Sequence, residues 1–142
     1  MSASDLATCQ ELFACWGVGG FHGPDRDANF DKFISPDCVI DYRFGTTHPA
    51  LKPFDGIFHG KEGFFQNMGI HGIFDWQDMK VEFLPGPQDS VLIYMDCVAA
   101  VRATGKASTE RTVCILQVFL REGKVYKSVY CFNGAAGWEA LL

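Results

Sequence analysis

The chain has no CxxC pair, no Cys/His spacing of the zinc-finger kind, no block of like charge, no internal repeat and no low-complexity tract. Each absence removes a class. Without paired cysteines, neither a zinc ribbon nor a thioredoxin-like redox centre is expected. With no basic patch and a net charge of −5, the chain is not expected to bind a nucleic acid, whose phosphate backbone needs a basic surface. No apolar run approaches the roughly 20 residues that cross a bilayer. The opening MSASDLATCQELFA has neither a basic n-region nor an apolar h-region. No signal peptide and no membrane partner are therefore expected, and the expected location is cytoplasmic.

What the chain does hold is apolar mass. Of 142 residues, 48% are hydrophobic and 20% charged, which suits one folded domain over 1–142 with a sizeable core. Thirteen phenylalanines can fill that core or wall an apolar pocket. The six cysteines lie mostly in apolar runs and read as buried free thiols of a reducing compartment.

Helical spacing of Leu6, Cys9, Leu12, Phe13 and Trp16 predicts a first helix over about 4–17, with Ser4-Asp5 as its cap. Gly17, Gly19 and Gly20 stop it. Asp25 opens a second, short helix with Ala28, Phe30, Phe33 and Ile34 inward. The turn at Ser35-Pro36-Asp37 then leads into a strand over about 38–43, because proline cannot continue a helix. In that strand Cys38, Ile40 and Tyr42 share the more apolar face, so Tyr42 is placed to put a phenol into a cavity. Residues 45–60 form a loop with two prolines, of a length that often marks a lid or binding loop. A third helix covers 61–68 and ends at Gly69-Ile70-His71-Gly72. Four extended stretches follow, about 76–84, 90–104, 108–121 and 124–132, broken at Pro85-Gly86-Pro87, Gly105-Lys106 and Glu122-Gly123. Helices first and a strand meander after them give an α+β fold: a curved antiparallel sheet with three N-terminal helices on its concave face. The tail from Gly134 is placed over the open end. Trp76 and Trp138 read as packing residues. His48, His59 and His71 have no carboxylate at a ligand interval, so no metal site is expected.

This order of elements resembles the NTF2-like, or SnoaL-like, cystatin-like cone. The closing hairpin QVFLREGKVYKSVYCF looks like that family's terminal pair. Ile40-Asp41-Tyr42-Arg43, after Ile34-Ser35-Pro36, is similar to the strand that carries the catalytic tyrosine of scytalone dehydratase-like proteins. His71, ahead of Lys80-Val81, stands where that group keeps a catalytic histidine. The resemblance implies a cofactor-independent dehydratase or isomerase acting on a small cyclic ketone. Tyr42 would polarise the carbonyl, and His71, with a pKa near neutral, would serve as base and then acid. His22 and Asp25 fall where the group has an acidic partner for the histidine, and either is a candidate support. By the same resemblance the ligand-lining set is Trp16, Cys97, Ala99, Val101, Val113, Ile115, Gln117, Cys131 and Asn133, with Val129 beside them. The opposite sheet face, carrying Leu92, Tyr94, Leu116, Val118 and Tyr130, is half apolar and implies a homodimer or homotrimer. The rival reading is a non-catalytic module of the same fold that binds an apolar ligand or only oligomerises. Where the group has further polar ligands, this chain has Val101, Val113 and Ile115, and that favours the rival.

Overall fold

A computed structural model describes residues 2–15 and 21–142. Helix α1 (Ala3–Ala14) is capped by Ser2, whose hydroxyl accepts from the Asp5 backbone N–H at 3.1 Å. The cap therefore lies two residues before the expected Ser4. Helix α2 (Arg26–Phe33) starts after Asp25, which makes no side-chain cap. It runs directly into strand β1 (Ile34–Tyr42). The Ser35-Pro36-Asp37 turn is thus part of the strand, where the β1 register shifts between Ile34 and Val39. Proline is tolerated at such an irregularity because no ladder N–H is required there.

The 45–60 segment holds a strand that periodicity did not reveal, β2 (Gly56–His59), antiparallel to β1. Helix α3 (Gly60–Met68) follows. It ends in a tight turn where Gly69 packs on the Phe54 ring; a Cβ at that position would stand 2.7 Å from a ring carbon. Strands β3 (Phe74–Pro85), β4 (Val91–Val101), β5 (Thr112–Arg121) and β6 (Lys124–Phe132) form an antiparallel meander. Glu122 and Gly123 both have positive φ, 54° and 76°, as a two-residue hairpin needs. A short α4 (Ala136–Glu139) closes the described chain.

The strand order is β2-β1-β6-β5-β4-β3. The sheet is curved and unclosed, with the helices packed on it. It is not wholly antiparallel, because β1 and β6 pair in parallel. Sequence-adjacent strands suggest only antiparallel neighbours, and this pairing joins segments far apart in the chain.

Strand β3 carries the feature that shapes the concave face. Its register with β4 shifts between Gln77 and Lys80, and Asp78 there has φ 49°. This bulge changes the parity of the strand. Before it Trp76 lines the concave side, and after it Met79, Val81 and Phe83 do. Arg111 holds the bulge from outside. It donates to the Asp78 carboxylate at 2.8 Å, to the Asp78 carbonyl at 2.9 Å, and to Asp96.

The 45–60 loop is no lid over the concave face, since none of its residues lines the cavity there. It is pinned instead. Asp55 accepts from the Phe44 and Thr46 backbone N–H groups at 2.9 and 2.8 Å. Glu139 accepts from the Thr46 hydroxyl at 2.8 Å and the Thr47 N–H at 3.2 Å. Below that loop Trp138 is buried and its ring packs against Phe44, Phe74, Trp76 and Phe132. The tail thus plugs one end of the sheet with an indole.

Candidate functional site

The concave side encloses a cavity of about 920 Å³, at the upper end of the range usual for small-molecule sites. Tyr42 lies at its buried end, 5% exposed. The alternation read in β1 puts it there: Cys38, Ile40 and Tyr42 are all buried while Val39 and Asp41 are less so. The Tyr42 ring packs tilted against Tyr130 at 4.6 Å and edge to face against Phe132 at 4.9 Å. Burial pushes both phenols well above their ordinary pKa, so both stay neutral O–H groups. Neither hydroxyl has a hydrogen-bond partner among the described residues. Neither is sealed from the cavity, for no side-chain oxygen is both fully occluded and unpaired. Two phenols therefore look into an apolar space walled by Phe83, Met95, Cys97 and Phe132.

His71 and His22 line the same cavity, with Asp75, Arg102 and Gln10. The two imidazoles meet edge to face at 5.3 Å. His71 Nδ1 accepts from the Trp76 indole N–H at 2.7 Å. An indole can only donate, so Nδ1 is unprotonated and the ring proton sits on Nε2. Burial, then His22 and Arg102, pull the His71 pKa down to about 3. The expected near-neutral base is therefore a neutral imidazole whose Nδ1 lone pair is engaged. His22 is also lowered, by burial first and then by Arg102. Asp25 is exposed and does not line the cavity. The acidic support expected there is not brought to His71.

A second indole repeats the pattern. Trp138 donates to the Thr112 hydroxyl at 2.8 Å. That leaves the Thr112 O–H to donate, and Thr112 lines the cavity. Aromatic contacts run in a chain from Tyr42 to His71. Tyr42 meets Phe132 at 4.9 Å, Phe132 meets Trp138 at 5.1 Å, Trp138 meets Trp76 at 5.3 Å, and Trp76 meets His71 at 6.0 Å.

The expected lining is only partly met. Cys97 lines the cavity. Ala99 and Val101 share its face, but they are buried beside their strand partners Trp76 and Phe74 and fill core instead. Val113, Ile115 and Gln117 point to the other face. Ile115 is 47% exposed, and Gln117 donates to Ser90. Val129 and Cys131 face out as well, Cys131 being exposed. Asn133 ties the end of β6 to the start of β5, accepting from the Val113 N–H and donating to the Arg111 carbonyl. The physical reason is register. Directly paired residues on neighbouring strands share a face. Cys97 pairs with Thr112, which puts Thr112 and Cys114 inward. Asp41 pairs with Val129, which puts Tyr130 beside Tyr42. Leu116 and Val118, expected on the outer face, are buried inside with Tyr130. Trp16 lies outside the described residues. Tyr130, Thr112, Trp76 and Arg102 were missed as site residues, though the β1–β6 pairing alone identifies Tyr130.

All six cysteines are free. Among the described residues, no group of three or more His, Cys, Asp or Glu is placed to hold a metal ion. No helix among them is long and apolar enough to cross a membrane.

Comparison with known proteins gives no matching family model and no matching curated relative. Solved structures do match. An NTF2-like protein from Burkholderia xenovorans LB400 superposes with a TM-score of 0.74 at 14% identity, over 100% of this chain and 98% of that one. The fold is NTF2-like. TerC, co-crystallized with polyporic acid, superposes at 0.71 with 14% identity, over 98% of each chain. A candidate SnoaL-like polyketide cyclase from Mesorhizobium loti gives 0.58 at 16% identity, over 92% of this chain and 99% of that one. At these identities the likeness is one of fold alone.

Proposed function

We propose that this NTF2-like chain is a cofactor-independent lyase or isomerase that moves a proton on a largely apolar, ring-bearing ketone. One observation carries the reading. Two phenol hydroxyls without a protein partner stand at the buried end of a cavity of about 920 Å³ with apolar walls. Donors preorganised in a water-poor site are what a developing enolate oxygen needs. Tyr42 and Tyr130 hold the carbonyl oxygen. His22 is the proton carrier, because its lowered pKa keeps it a neutral base at pH 7 and its ring lines the cavity. It takes the α-proton, and the C–H electron pair moves into the enolate. In an elimination the enolate re-forms the carbonyl as the β-hydroxyl leaves, taking the proton from the imidazolium as water. In an isomerisation the proton returns to another carbon. His71, fixed by Trp76, packs edge-on against His22 and positions it.

The test is turnover of a panel of cyclic β-hydroxy ketones and unconjugated enones. Tyr42→Phe and His22→Gln are each expected to cut kcat by about 10²-fold, in keeping with the loss of one oxyanion donor or a general base. A specific observation favours the second reading, a ligand-binding module: the Nδ1 lone pair of His71 is spent on the Trp76 indole. Saturable binding of panel members with no turnover would establish that reading and remove the enzyme. Self-association as a homodimer or homotrimer is proposed through the outer face, where Ile115 and Leu84 are exposed. Light scattering of Ile115→Lys would show monomers if it is right.

A further inference from the structure

Four sulfur-bearing side chains line the cavity, Met79, Met95, Cys97 and Cys114, and none has a part in the proton chemistry above. Register gathers them. Met95 pairs directly with Cys114, and Cys97 with Thr112. Met95 and Cys97 alternate in phase on β4, so these four residues share one face, and all four line the cavity. Directly opposite, the Met95 and Cys114 Cβ atoms lie about 5 Å apart; on the diagonal, Cys97 and Cys114 lie about 7 Å apart. The bulge in β3 supplies the fourth sulfur. Gln77 pairs with Val98 and Lys80 with Asp96, so Asp78 and Met79 together stand opposite Cys97. The two thiols are in electrostatic range of each other, and both are in range of the Tyr42 phenol.

The diagonal decides what the pair of thiols can do. A disulfide needs Cβ atoms about 3.5–4.5 Å apart, and both thiols are free. One ion between the sulfurs spans the wider gap. Zinc would need about four ligands, and among the described residues no group of three or more His, Cys, Asp or Glu is placed to hold a metal ion. Two thiols beside a flexible thioether make a soft donor set, and thiolate with thioether selects Cu(I). We propose that Cys97, Cys114 and Met95 form a site for one Cu(I) ion in the wall of the cavity, with the two thiolates as principal ligands and the thioether as the third. Each S–Cu bond forms as its thiol gives up a proton to solvent. Copper stays Cu(I), and no electron moves. The bound pair of thiolates leaves one negative charge. Thr112 stands at the remaining corner to meet it: its oxygen accepts from the Trp138 indole, so its O–H is left to donate to sulfur. Such outer donors orient and tune metal ligands. Met79 stands on the other side of Cys97.

The more accessible thiols are Cys131 and Cys15, so the experiment starts from the full chain carrying Cys15→Ser and Cys131→Ser. Cu(I) is added without oxygen in the presence of bicinchoninate, a coloured competing chelator, and native mass spectrometry counts the copper retained. The expected result is one copper per chain. It is lost when either Cys97→Ser or Cys114→Ser is added. Met95→Leu keeps it about tenfold more weakly, the scale on which supporting contacts tune metal affinity. Copper X-ray absorption on the loaded parent needs neither inner substitution, and so does not depend on those variants folding. It should show sulfur alone around the ion. No retained copper in the parent overturns the site. So does copper that survives both inner cysteine substitutions, or a first shell containing histidine nitrogen.

Discussion

The Trp76 indole N–H donates to Nδ1 of His71 across 2.7 Å, and the two residues are five apart in the chain. The hydrogen bond exists only while His71 is neutral. It reinforces what burial, His22 and Arg102 already impose, a pKa near 3. A histidine held this way is a positioned dipole rather than a proton store at pH 7.

Acid sensitivity follows from that pair. The unfolded chain protonates His71 near its ordinary 6.5, while the folded chain does so only near 3. Between those values the unfolded state binds a proton that the folded state refuses. The contribution is therefore fully present above about pH 6.5 and is lost as the pH falls toward 3. Its slope is about 1.4 kcal/mol per pH unit. Urea denaturation of wild type and His71→Gln at pH 7.5, 5.5 and 4.5 should show a shallower acid limb in the variant. Parallel limbs would mean that His71 is not the group responsible.

Replacing Trp76 by Phe removes the donor and leaves the ring environment largely apolar. The His71 pKa should rise, yet stay below 6.5 because burial persists. An NMR titration of the imidazole resonances reads both statements. A fall in pKa, or none, would contradict the role given to the indole.

Tyr42→Phe separates chemistry from stability. The hydroxyl has no partner to lose, so the melting temperature should move by no more than about 2 °C, as for a change that breaks no packing. A large drop would show that the phenol is held by the protein and is not waiting for a ligand.

Arg111→Met tests the clamp on the β3 bulge. It removes charge-assisted bonds to Asp78 and Asp96, so the urea midpoint should fall. Because the bulge decides that Met79, Val81 and Phe83 face the cavity, affinity for the panel ketones should fall along with stability. Arg111→Lys should recover part of the stability and less of the affinity, since it cannot reach the Asp78 carboxylate and carbonyl together.

The thiols divide by burial. Burial raises Cys9 and Cys114 to about 12, and Cys38 and Cys97 to about 11. Cys131 is exposed and Cys15 half-buried. Mass spectrometry after brief treatment with a disulfide reagent at pH 8 should find label on Cys131 and Cys15 before any other.

The sequence carried the fold and one half of the site. Proline, glycine and period-2 alternation are local signals, and they placed β1, its inward Tyr42 and the meander from β3 to β6. They could not place Thr112, Tyr130 or Arg102. Both faces of β5 and β6 are half apolar, so alternation does not say which face is inside. That is decided by pairing across the sheet, Cys97 with Thr112 and Asp41 with Val129. The bulge at Asp78 is invisible for the same reason: it is a relation between two strands, held by an arginine 33 residues away. His71 lines the cavity, but its protonation is set by burial, His22 and Arg102 and by the indole of Trp76, and none of these can be read from its position in the sequence.

The parallel pairing of β1 with β6 has a consequence for how the protein is made. It is the seam between two blocks of sheet, β2-β1 on one side and β6-β5-β4-β3 on the other. During synthesis the first block emerges with α2 and α3 and their phenylalanines, and waits for a partner that is translated more than 80 residues later. Until then its edge is unpaired and adhesive, as incomplete sheets are. Formation of the Tyr42–Tyr130 contact is therefore a late event, tied to completion of the strand that supplies Tyr130. A ribosome stalled before β6 would carry a chain without its last hairpin, no pocket, and a marked appetite for chaperones.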